Sequence, residues 1–135
     1  MLVRIIWMSL AFGLMTSYHS IRESKKYQLI VFEGSDWCLN CRKLEQSVLS
    51  DSEFKAFLAT NAIELVRVDF PQRNKQTPTQ RVQNDSIARR YDFQGVYPTI
   101  VLVEAHDQAY LELNYNNETS TAFAGRISHG IKQLK

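Results

Sequence analysis

The sequence has 135 residues, of which 44% are hydrophobic and 22% are charged, values close to those of ordinary globular domains. They exclude a wholly disordered chain, a collagen-like repeat and a membrane protein with several spans. The formal net charge of +2 is too small to bind nucleic acid without a clustered stripe of basic residues, so we expect one folded domain and no nucleic-acid partner.

The N-terminal segment has the layout of an export signal. Arg4 precedes an apolar run at residues 5–15, which is shorter than the ~20 residues of a free membrane-spanning helix. No good pair of small residues marks a cleavage site, and no cysteine follows the run, so a lipoprotein anchor is not encoded. We expect residues 1–20 to be a cleaved signal peptide or an N-terminal anchor, the alternative being an apolar first helix of a cytosolic protein. Residues 21–135 then form the domain.

The first half of this domain is predicted to fold as strand, helix, helix, strand. Residues 28–32 (QLIVF) are typical of a buried, central strand. Apolar residues at helical spacing then predict a helix that begins at the two cysteines. Residues 50–53 (SDSE) have capping-box spacing before a second short helix, and residues 63–69 (IELVRVD) form the second strand.

The second half is predicted to fold as helix, strand, strand, helix. Thr77 and Pro78 have the pattern of a helix start, and this helix ends near Tyr91. Residues 99–103 and 110–113 are predicted to form an antiparallel hairpin, and an amphipathic helix closes the chain. Strands joined through helices are parallel, so the class is α/β, with a mixed central sheet of about four strands flanked by helices on both faces.

The segment that leads into the helix, residues 71–84, contains three basic residues, Arg73, Lys75 and Arg81, and no acid. The simplest interpretation is a solvated insertion. Attraction of an acidic partner is the alternative, and the sequence does not decide between them.

Cys38 and Cys41 form a C-x-x-C pair at the junction between the first strand and its helix. The N–H groups and dipole of a helix N-terminus stabilise an anion, so Cys38 should be an exposed, reactive thiolate. Cys41 lies one turn later on the stripe of Leu44 and Val48, so it should be buried beneath Cys38. This arrangement suits thiol–disulfide exchange, in which Cys38 is the nucleophile and Cys41 resolves the mixed disulfide.

Three other uses of the cysteines are disfavoured by the sequence. A structural disulfide over so short a loop stabilises little. A zinc site needs further ligands, and His19, His106 and His129 form no finger-like pair. Haem attachment fails because Arg42 stands where a histidine is required. We therefore expect a redox pair, with no metal and no cofactor.

The segment GSDWCLNC at residues 34–41, with DSIARRYDFQGVYPT at residues 85–99, resembles the thioredoxin family, and most of all exported bacterial thioredoxin-like proteins. The resemblance covers roughly residues 27–134 and implies the thioredoxin fold. It implies a cis peptide before Pro98, which would lie against the cysteines, and a substrate-binding role for Trp37 and for the backbone at Tyr97. Trp37 as a cap on the core edge and Pro98 as a plain strand-entry proline are the alternatives.

Two departures from the family pattern concern the resolving cysteine. Thioredoxins carry a buried acid six residues before the first cysteine, where this chain has Phe32, and the basic partner of that acid would fall near Leu65. Glu33 points to the other face of the strand by alternation, so it is not an obvious substitute. We therefore expect an apolar bed under Cys41, which would raise the pKa of its thiol.

The sequence is thus interpreted as that of a thioredoxin-like thiol–disulfide oxidoreductase, acting as a reductase on disulfide-containing exported proteins, as a monomer, in the bacterial periplasm. A membrane thiol-reductase relay is the expected electron donor, because an oxidising compartment would leave a reductase spent after one turnover. The alternatives are a disulfide oxidant or isomerase with the same residues, and a non-catalytic peptide-binding module of the same fold.

Overall fold

The computed structural model describes residues 25–106 and 108–135. The predicted signal or anchor, residues 1–20, lies outside the described residues, as does Asp107. None of the helices in the described ranges is long and apolar enough to cross a bilayer.

A four-stranded mixed sheet forms the centre of the domain, in the order β2-β1-β3-β4. β1 pairs in parallel with β2, and β3 pairs antiparallel with both β1 and β4. The predicted order of elements and the central place of the first strand are confirmed. The elements are β1 (Tyr27–Glu33), α1 (Leu39–Leu44), a π-helical turn (Glu45–Leu49), α2 (Ser52–Thr60), β2 (Ile63–Asp69), α3 (Pro78–Arg90), β3 (Thr99–Glu104), β4 (Tyr110–Leu113) and α4 (Ser120–Gln133).

Strand alternation divides the core into two layers, one on each face of the sheet. On the first face, Leu29 and Val31 of β1 pack with the apolar residues of α1, the π-helical turn, α2 and α4. On the second face, Ile30 and Phe32 pack with Tyr91 and neighbouring side chains at the end of α3. Helices on both faces of a mixed sheet are the thioredoxin fold that the sequence predicts.

Most helix starts agree with the sequence, and one does not. Thr77 and Gln80 form the expected capping box of α3. The capping box predicted at Ser50 is wrong, because the N-cap of α2 is Asp51, whose carboxylate accepts from the Phe54 N–H at 2.8 Å. Ser50 instead donates its hydroxyl to Glu45 at 2.7 Å, because the preceding turn is π-helical and places the two side chains together.

Candidate active site

The two cysteines lie at the start of α1, directly after the loop that follows β1. Cys38 is the N-cap residue, and the backbone N–H of Cys41 donates a hydrogen bond to its Sγ at 3.1 Å. The side chains are joined in a disulfide, so the structure shows the oxidised form. A sulfur that accepts from the first turn of a helix is well placed to carry negative charge once the bond is reduced.

Both cysteines are buried in this oxidised form. Cys38 is 6% exposed and Cys41 is 2% exposed. The prediction of an exposed Cys38 sulfur is therefore wrong for this state, because the disulfide holds that sulfur against the buried Cys41. The surface at the pair is formed by neighbours such as Leu39, which is 59% exposed although it is apolar.

An aromatic cluster, defined as Trp37, Phe70, Phe93 and Tyr97, adjoins the cysteine pair. The Tyr97 ring makes edge contacts with Trp37, Phe93 and Phe70, with centroid separations of 5.0, 5.1 and 6.1 Å respectively. The Tyr97–Pro98 peptide is cis, as the resemblance implies. Burial raises the pKa of the Tyr97 hydroxyl, and the charge of Asp69 acts in the same direction. The fold thus brings the predicted Trp37 and Tyr97 together.

Trp37 is fixed by two contacts. Its indole Nε1 donates to the Phe70 carbonyl at 2.9 Å, and its ring lies where a side chain on Gly34 would be. Only a residue without Cβ fits at position 34, because any Cβ there would overlap the indole. Trp37 is half-buried, so it caps the edge of the core and also presents a face beside Cys38.

Carboxylates tie the loop before the cysteines to the segment after β2. Asp36 accepts from the backbone N–H groups of Gln72, Arg73 and Asn74 at 3.0, 2.8 and 2.7 Å. Desolvation would raise the pKa of the Asp36 carboxyl, but these three donors outweigh it and hold that pKa below its ordinary value. The sequence predictions did not include this connection, which no local pattern reveals because its partners are more than thirty residues apart.

The acid–base pair that the sequence analysis judged absent is present at other positions. Phe32 and Leu65 are apolar, as noted, and Phe32 stacks on Phe93 at 4.4 Å. Glu33, however, is 4% exposed and accepts from Arg67 of β2 through two hydrogen bonds, at 2.7 and 2.9 Å. Alternation does place Glu33 opposite Phe32, but the face that it shares with Val31 is the one on which α1 packs. The predicted alternation of Phe32 and Glu33 is confirmed, and Glu33 lies on the face of β1 that α1 covers.

The surroundings of Cys41 correct a second expectation. A cavity of about 240 Å³ lies between α1, the π-helical turn and the ends of β1 and β2, and six of its seven lining residues have polar or charged side chains. The predicted apolar bed under Cys41 is wrong, because the face of β1 beneath α1 ends in a carboxylate. The lining residues are Glu33, Ser35, Cys41, Arg42, Glu45, Gln46 and Arg67.

The remaining candidate ligands form no site in the part of the chain that the structure describes. His106 and His129 are exposed, and no group of three or more His, Cys, Asp or Glu side chains is arranged to hold a metal within residues 25–106 and 108–135.

A mixed sheet with a disulfide-forming pair at the N-terminus of the first helix defines a thiol–disulfide oxidoreductase of thioredoxin fold. A family model described as thioredoxin-like matches residues 15–105, and the chain belongs to this family. The predicted family, fold and enzyme class are confirmed.

Known proteins of this class resemble the chain over most of its length. Disulfide bond reductase DsbH of Chlamydia pneumoniae is 32% identical over 114 residues, which are 84% of this chain and 67% of that protein. A solved DsbH oxidoreductase has a TM-score of 0.73 at 30% identity, over 80% of this chain and 74% of the other. The C-terminal domain of Neisseria meningitidis DsbD in the reduced form shares the fold, with a TM-score of 0.56 at 15% identity, over 80% and 84%.

Proposed function

We propose that the protein is a disulfide reductase that uses Cys38 as nucleophile and Cys41 as resolving cysteine. The observation that carries the direction is the 32% identity to a protein named a disulfide bond reductase, over 84% of this chain. The geometry supports the order of the cysteines, because Cys38 caps the helix and Cys41 is the more buried of the two.

The reaction transfers two electrons from the cysteine pair to a substrate disulfide. The Cys38 thiolate attacks one substrate sulfur, forms a mixed disulfide and releases the other substrate sulfur as a thiolate. Cys41 then attacks Cys38, forms the disulfide seen here and releases the second substrate thiolate. A dithiol donor must reduce the pair before the next turnover.

The substrates are disulfide-bonded proteins in an oxidising compartment, and a membrane thiol reductase is the proposed donor. The apolar run at residues 5–15 supports export. Trp37, Tyr97 and Pro98 form the proposed docking surface, since the two rings are in contact beside Cys38. Leu39 and Val96, which are 59% and 64% exposed, extend this surface with apolar area.

The direction is tested by the reduction potential of the Cys38/Cys41 pair. The purified protein is equilibrated in glutathione buffers and its alkylated thiols are counted by mass, with Cys41→Ser as a control that forms no intramolecular disulfide. A potential below about −200 mV, toward the range of strong reductants, supports a reductase. A potential above that value would instead indicate an isomerase or an oxidant with the same site.

A further inference from the structure

Residues 71–84 form a protruding lobe, here called the basic lobe, beside the cysteines. Its last residue returns to the point where the chain leaves β2, because the side-chain amide of Asn84 donates to the Asp69 carbonyl at 2.7 Å. No residue of this segment is buried, and α3, whose first half belongs to it, has no buried residue either. The lobe therefore adds little to the core and presents its side chains to solvent.

The basic lobe carries three positive charges and no negative one. Arg73, Lys75 and Arg81 are exposed, and none of these side chains forms an ion pair or a hydrogen bond with another residue in the ranges 25–106 and 108–135. The carboxylates of Asp36 and Asp69 lie at the base of the lobe, where backbone and hydroxyl donors occupy them. The outer surface of the lobe is therefore cationic, and its charges are unpaired.

Hydrogen bonds place these charges next to the active site. The backbone nitrogen of Arg73 lies 2.8 Å from an Asp36 oxygen, and Asp36 is two residues before Cys38, a span of at most about 7 Å of chain. Between them, Trp37 donates its indole N–H to the Phe70 carbonyl at 2.9 Å, at the base of the lobe. A polypeptide whose sulfur is bonded to Cys38 therefore has its neighbouring residues within reach of the lobe.

We propose that the basic lobe binds acidic segments of the proteins whose disulfides react with Cys38. The proposal rests on the proposed reductase cycle and names its substrate class, namely proteins with clustered Asp or Glu beside the reactive disulfide. Unpaired charges of one sign raise the rate of encounter with the opposite sign and select among partners. Lipid-binding clusters typically have about 4–8 basic residues, so the three of the lobe fit an acidic protein segment better than a membrane surface.

The first test compares two peptide disulfides that differ only in charge. Each probe has one internal disulfide, flanked by Glu residues or, in the matched probe, by Gln residues. The reduced protein passes two electrons to the probe, which becomes a dithiol as the Cys38–Cys41 disulfide forms, and acid-quenched samples are counted by mass. We expect reaction with the Glu probe to be at least about fivefold faster at an ionic strength of ~10 mM, where the Debye length is ~30 Å. The two rates should be about equal at ~1 M, where that length is ~3 Å.

A lobe variant with its three cations changed to Gln should lose this preference at low salt. Its rate with the Gln probe should stay within about twofold of wild type, because the cysteines and the aromatic cluster are unchanged. Equal rates of wild type with both probes at low salt would overturn the proposal, as would a preference that survives in the lobe variant. The substitutions are Arg73→Gln, Lys75→Gln and Arg81→Gln.

The matched control removes the same charge from the other end of the sheet. Its three lysines are exposed and lie where the end of α4 meets the start of β1, about 20 Å of strand away from the cysteines. This control should keep the preference for the Glu probe. A preference lost equally in both variants would show that only net charge matters, and would overturn the proposal. The substitutions are Lys25→Gln, Lys132→Gln and Lys135→Gln.

A binding measurement tests the lobe without any redox step, so it decides the proposal even if wild type reduces neither probe and the reductase cycle fails. The oxidised, isotope-labelled protein is titrated with a cysteine-free Glu peptide at low salt. The amide signals of Arg73, Lys75 and Arg81 should shift and saturate, and the lobe variant should bind no peptide. Absence of these shifts in wild type would overturn the proposal. Shifts caused by phosphatidylglycerol vesicles and not by the peptide would indicate a membrane-facing surface, and would overturn it as well.

Discussion

Single residues set the position of the indole beside the nucleophile. Gly34 leaves the space that the Trp37 ring occupies, and the indole N–H reaches the Phe70 carbonyl at 2.9 Å. The position of the Trp37 ring therefore depends on the lack of a Cβ atom at Gly34, four residues before Cys38. A small change at position 34 should displace the indole without touching either cysteine.

We expect Gly34→Ala to destabilise the protein by about 1–3 kcal/mol, because the added methyl must move the indole or the backbone. It should also change the tryptophan fluorescence of the native state. Gly125→Ala is the control, since its Cβ would meet nothing within 4 Å on α4, and it should stabilise by about 0.5–1 kcal/mol. Urea unfolding measures both effects, and equal changes in the two variants would contradict the assignment.

The Glu33–Arg67 pair shows which site residues the sequence can reveal. Alternation along β1 correctly separates Phe32 from Glu33, and this is a local property. The path of the chain between β1 and β2 decides which face of the sheet α1 covers. The contact between Glu33 and Arg67 follows from the strand register, in which Val31 lies opposite Arg67. The sequence shows that Glu33 and Arg67 have opposite charges. Their contact, however, depends on the pairing of β1 with β2, which the sequence alone does not reveal.

At the scale of elements, the loop before α1 and the segment after β2 are held together by side chains. Asp36 binds three consecutive backbone N–H groups of that segment. Ser35 donates its backbone N–H and its hydroxyl to Asp69 at 2.8 and 2.6 Å. The first residues of the segment 71–84 are thus anchored to the loop that precedes the cysteines.

The depressed pKa of Asp36 predicts an acid-sensitive junction. A group whose pKa is lower in the folded state than in the unfolded state stabilises the fold above its unfolded pKa, and this contribution is lost as pH falls through the folded value. We expect Asp36→Asn to lower Tm near pH 7, and the difference from wild type to shrink as the pH falls below about 4.

Thermal unfolding of both proteins across this pH range measures the effect. Asp92→Asn is a suitable control, because the Asp92 side chain is exposed and its carboxylate accepts no hydrogen bond from the described residues. A difference between wild type and Asp36→Asn that is the same at all pH values would contradict the role given to the charge.

At the scale of the whole molecule, the layer beneath α1, α2 and α4 contains the larger part of the core. Phe123 is fully buried there and packs against Phe54 and Tyr115, with ring centroids 6.0 and 6.4 Å apart. This layer also supports α1, so its packing determines how firmly the cysteine pair is held on the sheet.

Phe123→Ala should lower the free energy of unfolding by about 3–5 kcal/mol, because it removes a ring from a closed core and leaves a cavity. Domains of this size are stable by only about 5–15 kcal/mol, so most of the margin would be lost. Denaturant unfolding measures the change. Val82→Ala on α3, whose side chain is 66% exposed, should change stability by less than about 0.5 kcal/mol. A similarly small loss in Phe123→Ala would show that this layer is not the main core.

The sequence predicted this molecule best where periodicity and a motif coincide. Residues 63–69 and 110–113 are strands with the predicted bounds. In both, the strand-like sequence pattern continues from the first residue of the strand to the last. The start of α2 was misplaced because Ser50 and Asp51 are both good caps, and only the π-helical turn before them decides which one faces the helix. The hydrogen bonds to Asp36 could not be predicted, because their donors are backbone N–H groups, which every residue except proline has.

The aromatic cluster and the cavity lie on opposite faces of the sheet. Phe70 and Phe93 belong to the layer that contains Phe32, whereas Glu33 and Arg67 lie on the face of α1. The proposed docking surface therefore rests on side chains of the second face of the sheet, whereas the cavity opens on the first. A substitution in the cavity therefore changes the surroundings of Cys41 while leaving in place the ring contact between Trp37 and Tyr97.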